Sequence, residues 1–386
     1  LANREFLPGH SVKFVRGGEA YFKQLIDVID ECRVILHLQV YIFDFDETGK
    51  RVFEALKNAV KRGVNVYLVV DGFGSSAMEK SFDSSLSESG VFFRVFSPLP
   101  FPGILQAGRR LHHKVCVADH ATALVGGINI ADKYRGTTIV HPWLDYALLV
   151  KGQVCNDIHF TCERIFNKQF SLDPRRKFSI PVPFVKDGEV AVRMSRNDWF
   201  RGKREISTSY KRMLRTAQSD ILIVASYFIP SRKILKILET ASNNGRSVTV
   251  VLSKYSDVPF IKPAMTFLYD RLFRGNIKIF EYNEAVLHAK VCVVDKKWVS
   301  VGSLNLNNLS ELISIEMNLE VLDVTFGNEV ATELKELINQ HCTEVTLSVY
   351  ERSNHPMKRL SNWFSYKMIS WSLSILFFLN RKDPKG

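Results

Sequence analysis

His112-x-Lys114, Asp119 after four intervening residues, and Gly126-Gly127-x-Asn129 after six more place an imidazole, an ammonium and an amide in one short stretch. The arrangement returns as His288-x-Lys290, Asp295 and Gly302-Ser303-x-Asn305, and the 17-residue separation of His112 from Asn129 recurs between His288 and Asn305. Alternate side chains of a strand share a face, so each His stands beside its Lys. Val115, Val117, Val291 and Val293 then turn the other way into a core. Gly126, Gly127 and Gly302 let the next segment approach closely, with Ser303 at the matching place in the second copy, and the amides of Asn129 and Asn305 can donate to an anion held there. One such pair is weak, because two polar neighbours on a strand arise by accident. Two copies in register are different, since a duplicated packing unit has no need of His or Lys. The pattern predicts two half-sites facing each other across a cationic cleft sized for a phosphate. The candidate catalytic set is His112, Lys114, Asp119, His288, Lys290 and Asp295. Within it, Asp119 and Asp295 are better suited to turning the chain between two strands.

An imidazole used in catalysis needs a carboxylate on its second nitrogen to fix tautomer and orientation. Asp145 follows His112 by 33 residues and Glu320 follows His288 by 32, which marks this pair as the orienting acids. His113 falls on the opposite face of its strand and is set aside.

The surrounding elements repeat as well. Apolar runs at 34–43 and 64–71 flank a helical pattern over 50–62 that Gly63 stops, a β-α-β order that implies parallel pairing. A second helix is expected over 78–89, with strands at 91–96, 113–118, 121–126 and 144–151 and a helix over 153–169. The order recurs with a helix at 205–217, strand 221–228, helix 232–243 stopped near Gly245, strand 247–252, helix 263–273 and strand 277–282. Tyr41 and Tyr227 correspond in this alignment. The domain reading is a first repeat over 1–172, a proline-bounded basic linker over 173–183, a second repeat over 184–345 and a basic, aromatic tail over 346–386.

The chain has 386 residues, with 52 Lys and Arg against 40 Asp and Glu, a net charge of +12. That length suits two fused units, and the charge calls for a polyanionic partner, either nucleic acid or an anionic membrane surface. Six cysteines show no metal-ligand spacing, and Cys116 and Cys292 read as small apolar strand residues, weakly favouring a reducing compartment. No signal peptide is visible. The start at Leu1 rather than Met leaves room for an upstream segment.

These paired blocks resemble the phospholipase D superfamily, and the likeness covers nearly the whole chain. Within it, Arg109–His112, Gly126–Asn129, Ala225–Pro230, Phe280–Tyr282, Leu287–Lys290, Gly302–Leu306 and Asn318–Glu320 are most similar to short bacterial cardiolipin synthases that lack N-terminal transmembrane helices. The resemblance implies an α/β fold of two tandem phospholipase D-like α/β/α repeats about a pseudo-twofold axis with one shared active site. It implies phosphodiester transfer without metal or cofactor. His112, oriented by Asp145, would be the nucleophile that becomes phosphohistidine, and His288, oriented by Glu320, the acid and base. The lysines and asparagines would hold the non-bridging oxygens.

Two features favour lipid over nucleic acid. The aromatic stretch 363–379 is short for a span and carries Lys367, Ser370 and Ser374 as a polar stripe, which suits a helix lying in a membrane interface rather than one docked on the protein. The apolar loop 98–105 could touch acyl chains or be a buried crossover. The expected partners are anionic phospholipids (phosphatidylglycerol, cardiolipin) and a membrane surface, with no nucleic acid. The expected location is peripheral, on the cytoplasmic side of a bacterial inner membrane. The reading is therefore a cardiolipin synthase joining two phosphatidylglycerols. Behind it stand a phospholipase D hydrolase or another phosphatidyltransferase, then a nuclease or an inactive membrane scaffold.

Overall fold

The computed structural model describes residues 5–76, 88–98, 109–137, 141–168, 186–307 and 314–381, with side chains as far as Trp371. The linker 173–183, residues 99–105 of the apolar loop and most of the helix expected over 78–89 lie outside the described residues. The chain forms two compact units. One contains Leu1–Arg196, Val301–Ser303 and Ile315–Asp323, and the other contains Asn197–Ser300, Leu304–Ser314 and Val324–Gly386.

In the first unit the strands are β1 (Leu7–Arg16), β2 (Ile35–Val40), β3 (Asn65–Asp71), β4 (Phe92–Phe96), β5 (Arg110–Leu111), β6 (Lys114–Ala118), β7 (Thr122–Gly126), β8 (Tyr146–Lys151) and β9 (Val190–Asp198). Seven of them form one mixed sheet, ordered β1-β8-β7-β6-β2-β3-β4, in which β2-β3 and β3-β4 are parallel and the remaining pairs antiparallel. Helices α1 (Glu19–Glu31) and α2 (Glu47–Lys61) cover one face, while α3 (Asp132–Arg135) is a single turn beside them. Helix α4 (Val154–Phe166) covers the other face. β2 and β3 are buried along most of their length, while the edge strand β4 is only partly buried.

Helix α2 shows how local sequence sets these elements. Val52, Phe53, Leu56 and Ala59 recur at helical spacing and all are buried. The helix starts three residues before the expected position because Asp46 caps it, accepting from the Gly49 N–H at 3.0 Å. Gly49 is required there, since a Cβ would lie 1.8 Å from the Asp44 carbonyl. The chain leaves through Arg62 and Gly63, whose φ of 89° suits glycine.

The later part of the chain repeats the plan with β10 (Lys203–Arg204), β11 (Asp220–Ala225), β12 (Ser247–Ser253), β13 (Lys278–Tyr282), β14 (Lys290–Val294), β15 (Trp298–Gly302), β16 (Ser314–Leu322) and β17 (Cys342–Glu344). Its helices are α5 (Glu205–Thr216), α6 (Arg232–Asn243), α7 (Ile261–Phe267), α8 (Tyr269–Arg274), α9 (Val324–His341), α10 (Leu347–Ser353) and α11 (Pro356–Arg381). The helix expected over 263–273 is thus two short ones that meet at Leu268. Strands run β14-β11-β12-β13-β17, again with a parallel centre. Lys114 lies opposite Val40 and Lys290 opposite Ala225, so the two sheets share a register. That register aligns Tyr41 with Ser226, one residue away from the tyrosine-to-tyrosine match expected from sequence. Cys116 and Cys292 are buried in β6 and β14 as small apolar residues. Most of β16, though downstream of His288, belongs to the first unit.

Under the first sheet, on the α4 side, sits a cluster of buried imidazoles. His37 stacks on Tyr67 at 4.8 Å and meets His159 edge-on at 4.6 Å, and His159 stacks on His120 at 3.6 Å. Burial holds all three below the ordinary histidine value of 6.5, His159 at about 3. Repulsion from the neighbouring imidazoles adds to this at His37 and His159, while a hydrogen bond with Asn156 and the charge of Asp119 oppose it at His120, and Asp119 opposes it at His159. Neither ring nitrogen of His37 has a hydrogen-bond partner among the described residues. A base whose folded value is depressed binds fewer protons folded than unfolded. Stability is therefore full above pH 6.5 and declines as pH falls from there towards 3. His37→Phe preserves the stacked shape without the charge. Thermal unfolding should show it close to the parent above pH 7 and more stable than the parent near pH 5, and an unchanged pH slope would refute the account.

Candidate active site

The first half-site is built in the gap between β5 and β6. Leu111 and Ile315 are buried in one cluster with Val69, Phe96 and Ile165, which fixes the strand ends carrying His112 and Glu316. The His112 N–H donates to the Ile315 carbonyl at 3.0 Å. Its Nδ1 lies 2.9 Å from Glu316 Oε2 and 3.1 Å from the Ser303 carbonyl oxygen. The Ser303 hydroxyl donates to the same Oε2 and accepts from the Met317 N–H at 3.0 Å. Glu316 is fully buried. Tyr41 meets the His112 ring edge-on at 5.0 Å. Lys114, also buried, places Nζ 5.2 Å above the Tyr41 ring and donates to the His112 carbonyl at 2.9 Å.

In the second unit, His288 and Lys290 are both buried. Lys290 Nζ lies 2.9 Å from His288 Nδ1 and also donates to the His288 carbonyl. Tyr227 is edge-on to His288 at 6.4 Å, despite the one-residue difference in register, and its hydroxyl donates to Asp257 at 2.6 Å. Ser226 Oγ donates to Asn305 Oδ1 at 2.8 Å. Each unit thus sets an imidazole, an ammonium and an edge-on tyrosine together.

A family model described as "Cardiolipin synthase, PLD-like domain" matches residues 25–137 and again 210–342. The chain belongs to this family. It is similar to cardiolipin synthase B of Shigella flexneri, 28% identical over 340 residues, with 87% of this chain and 82% of that one covered. The cardiolipin synthase of Clostridium perfringens (strain 13 / Type A) is 28% identical over 363 residues, covering 91% and 75%. The crystal structure of phosphatidylserine synthase from Haemophilus influenzae Rd KW20 shares the fold, with a TM-score of 0.72 at 15% identity and 97% of each chain covered. The protein is a cardiolipin synthase-like phosphatidyltransferase of the phospholipase D superfamily. Among its described residues no helix is long and apolar enough to cross a membrane.

Within this family member the carboxylate on His112 Nδ1 is Glu316, where the sequence pointed to Asp145. The two acids occupy equivalent places. A Cβ on Gly126 would meet the Tyr146 carbonyl at 2.5 Å and Ala147 Cα at 2.6 Å, while one on Gly302 would meet the Met317 carbonyl at 2.4 Å and Asn318 Cα at 2.5 Å. Tyr146 and Met317 therefore correspond, and so do Asp145 and Glu316. Leu144-Asp145-Tyr146-x-Leu148-x-Val150 and Ile315-Glu316-Met317-x-Leu319-x-Val321 carry this alignment in the sequence. Counting residues from the histidines missed it because the second loop is shorter. Glu320 is instead the counterpart of Leu149, and its buried carboxylate pairs with Arg193 at 2.5 Å. Gly127 leaves room for Asp145, since a Cβ there would lie 2.4 Å from both carboxylate oxygens.

Asp119 and Asp295 are turn residues. Asp119 accepts from the N–H groups of Arg33, Val34 and Ile35 at 2.7–2.9 Å, and Asp295 from those of Gln218, Ser219 and Asp220 at 2.7–3.1 Å. Burial pushes both carboxyls up, but these donors outweigh it and hold them below the ordinary value. Both have positive φ, 51° and 53°, at the tip of a hairpin turn. Asn129 is likewise a strut, with its amide N–H donating to the Tyr134 hydroxyl at 2.7 Å and its oxygen accepting from the Ile42 N–H at 3.1 Å. His113 hydrogen-bonds Gln39 on the far face at 3.1 Å, and burial holds its value near 3. Asp71, unmarked in the sequence, accepts from the Leu111 N–H at 2.8 Å and is flanked by Arg110, which secures the backbone immediately before His112.

Replacing Glu316 with Gln should lower kcat by about 10²–10⁴-fold with little change in KM, because imidazole orientation is lost while substrate contacts remain. Glu320→Ala should leave kcat within a few-fold and cost roughly 3 kcal/mol of stability through the stranded Arg193 charge. Steady-state kinetics with thermal unfolding separates the two, and the reverse ranking would return the orienting role to Glu320.

Proposed function

We propose that the chain joins two phosphatidylglycerol molecules into cardiolipin and releases glycerol. The observation that carries this reading is His112, whose Nδ1 is held by a buried carboxylate, an arrangement that assigns the nucleophile's role to Nε2. In the first step Nε2 attacks the phosphorus of the donor lipid, the P–O bond to the head glycerol breaks, and His288 as imidazolium gives that alkoxide its proton. Neutral His288 next takes the proton from the terminal hydroxyl of a second phosphatidylglycerol. The resulting oxygen attacks phosphatidyl-His112, the P–N bond breaks, and His112 is regenerated. Lys114 and Lys290 offset the charge on the non-bridging oxygens, the Asn305 amide adds a donor, and no metal enters the scheme. The scheme requires both imidazoles to reach one phosphorus. Asp145, the repeat counterpart of Glu316, is the second candidate for an orienting duty in the scheme.

Support comes from the paired His-Lys units, from the family to which the chain belongs, and from relatives named as cardiolipin synthases. Incubation with phosphatidylglycerol vesicles followed by mass spectrometry of the lipids tests the reading. Cardiolipin with an equivalent of glycerol is expected. Phosphatidic acid would make water the acceptor and the chain a hydrolase. His112→Ala and His288→Ala should each abolish turnover, and only His288→Ala should accumulate labelled phosphoenzyme. Near-normal rates in either variant would end the scheme.

A further inference from the structure

Helix α11 is inside out. Its most buried side chains are polar and small, with Asn362 3% and Ser365 2% exposed. Asn362 donates to Asn354 at 3.2 Å, Ser365 bonds back to the Ser361 carbonyl, and Tyr366 packs on Phe267 of α7 at 4.8 Å. On another face Met357, Leu360, Phe364 and Trp371, spaced by three, four and seven residues, are 79%, 65%, 59% and 68% exposed. Leu347 and Val349 of α10 and Trp363 are exposed as well. A docked helix normally buries its apolar side, and single exposed apolar residues are unremarkable, but a continuous face of this size marks an interaction surface. Of the polar stripe expected at Lys367, Ser370 and Ser374, Lys367 and Ser370 are half-buried, and the side chain of Ser374 lies outside the described residues.

We infer that this face is a preformed platform for an anionic lipid surface, held rigidly on the second unit. Charge selects the occupant. The α11 sequence has no Asp or Glu and carries Lys358, Arg359, Lys367 and Arg381. Lys367 lies 6.0 Å from the Trp363 ring, so aromatic and cationic groups alternate along the edge, as at a bilayer interface. A second copy would bring Lys358 and Arg359 against their own counterparts in a chain of net charge +12, whereas acidic headgroups compensate them. The choice of a phospholipid surface rests on the proposed reaction, but the platform itself does not.

Binding is measured on His112→Ala protein, so that turnover cannot alter the vesicles, by sedimentation with phosphatidylcholine vesicles with or without phosphatidylglycerol. Phe364→Ser with Trp371→Ser should lower partitioning about a hundredfold, while thermal unfolding stays close to the parent because both side chains are exposed. Lys358→Glu with Arg359→Glu should remove the preference for phosphatidylglycerol and its salt dependence. Circular dichroism should show no gain of helix on adding vesicles. Undiminished binding by the apolar double variant would overturn the inference, and so would vesicle-induced helix formation. A parent that ignores vesicles but forms a dimer lost in that variant would make the occupant a second copy and also overturn it. Expected binding in a chain whose active form makes no cardiolipin would remove the reaction and leave the platform standing.

Discussion

A carboxylate with no exposed surface keeps its charge only if neighbours replace the water it has lost. Glu316 meets that demand with the His112 imidazole and the Ser303 hydroxyl on one oxygen, and its other oxygen has no partner among the described residues. The carboxylate thus depends on a proton at Nδ1 of His112, and the imidazole in turn depends on the carboxylate for its orientation. Much of the surrounding structure serves this bond. Gly302 lets the Met317–Asn318 backbone come close, Leu111 and Ile315 bury the two approaches, and Asp71 secures the preceding N–H. A one-residue slip in β16 would turn Glu316 to the opposite face.

Duplication explains why the acid could come from a distant part of the chain. The two units share a strand register and a three-layer plan, and each turns its hairpin with an aspartate that gathers three backbone N–H groups. These aspartates set where the following strand begins, and they need no contact with substrate to matter. Conserving the frame while exchanging one strand puts a carboxylate from downstream of His288 beside His112 in the first unit.

The molecule also places polarity against expectation in two other regions. Three imidazoles lie in the apolar layer beneath β2, and an apolar helix face points outward on the second unit. The first is tolerated because the rings remain neutral and stack. The second has a physical rationale only if something other than water covers it.

The pairing of imidazole with ammonium was legible in the sequence. His-x-Lys on a strand needs only period-two geometry to set the two side chains together, and the duplicated spacing ruled out accident. The α/β order and the helix stopped at Gly63 were equally readable, because periodicity and turn residues act locally. Partner choice was not. Which acid meets His112 depends on how β16 pairs, and counting residues from His288 selected Glu320 where strand register selects Glu316. That Asn129 braces the fold through the Tyr134 hydroxyl and the Ile42 N–H could not be read from its spacing, and Tyr41 fell one position from its apparent match. The faces of α11 could not be assigned from its composition, since a helix pattern shows which side chains stand together but not which side meets the protein. Local sequence thus determined the reactive groups and the elements that carry them. Tertiary pairing decided which groups touch, because hydrogen bonding and desolvation act between residues that the chain itself holds far apart.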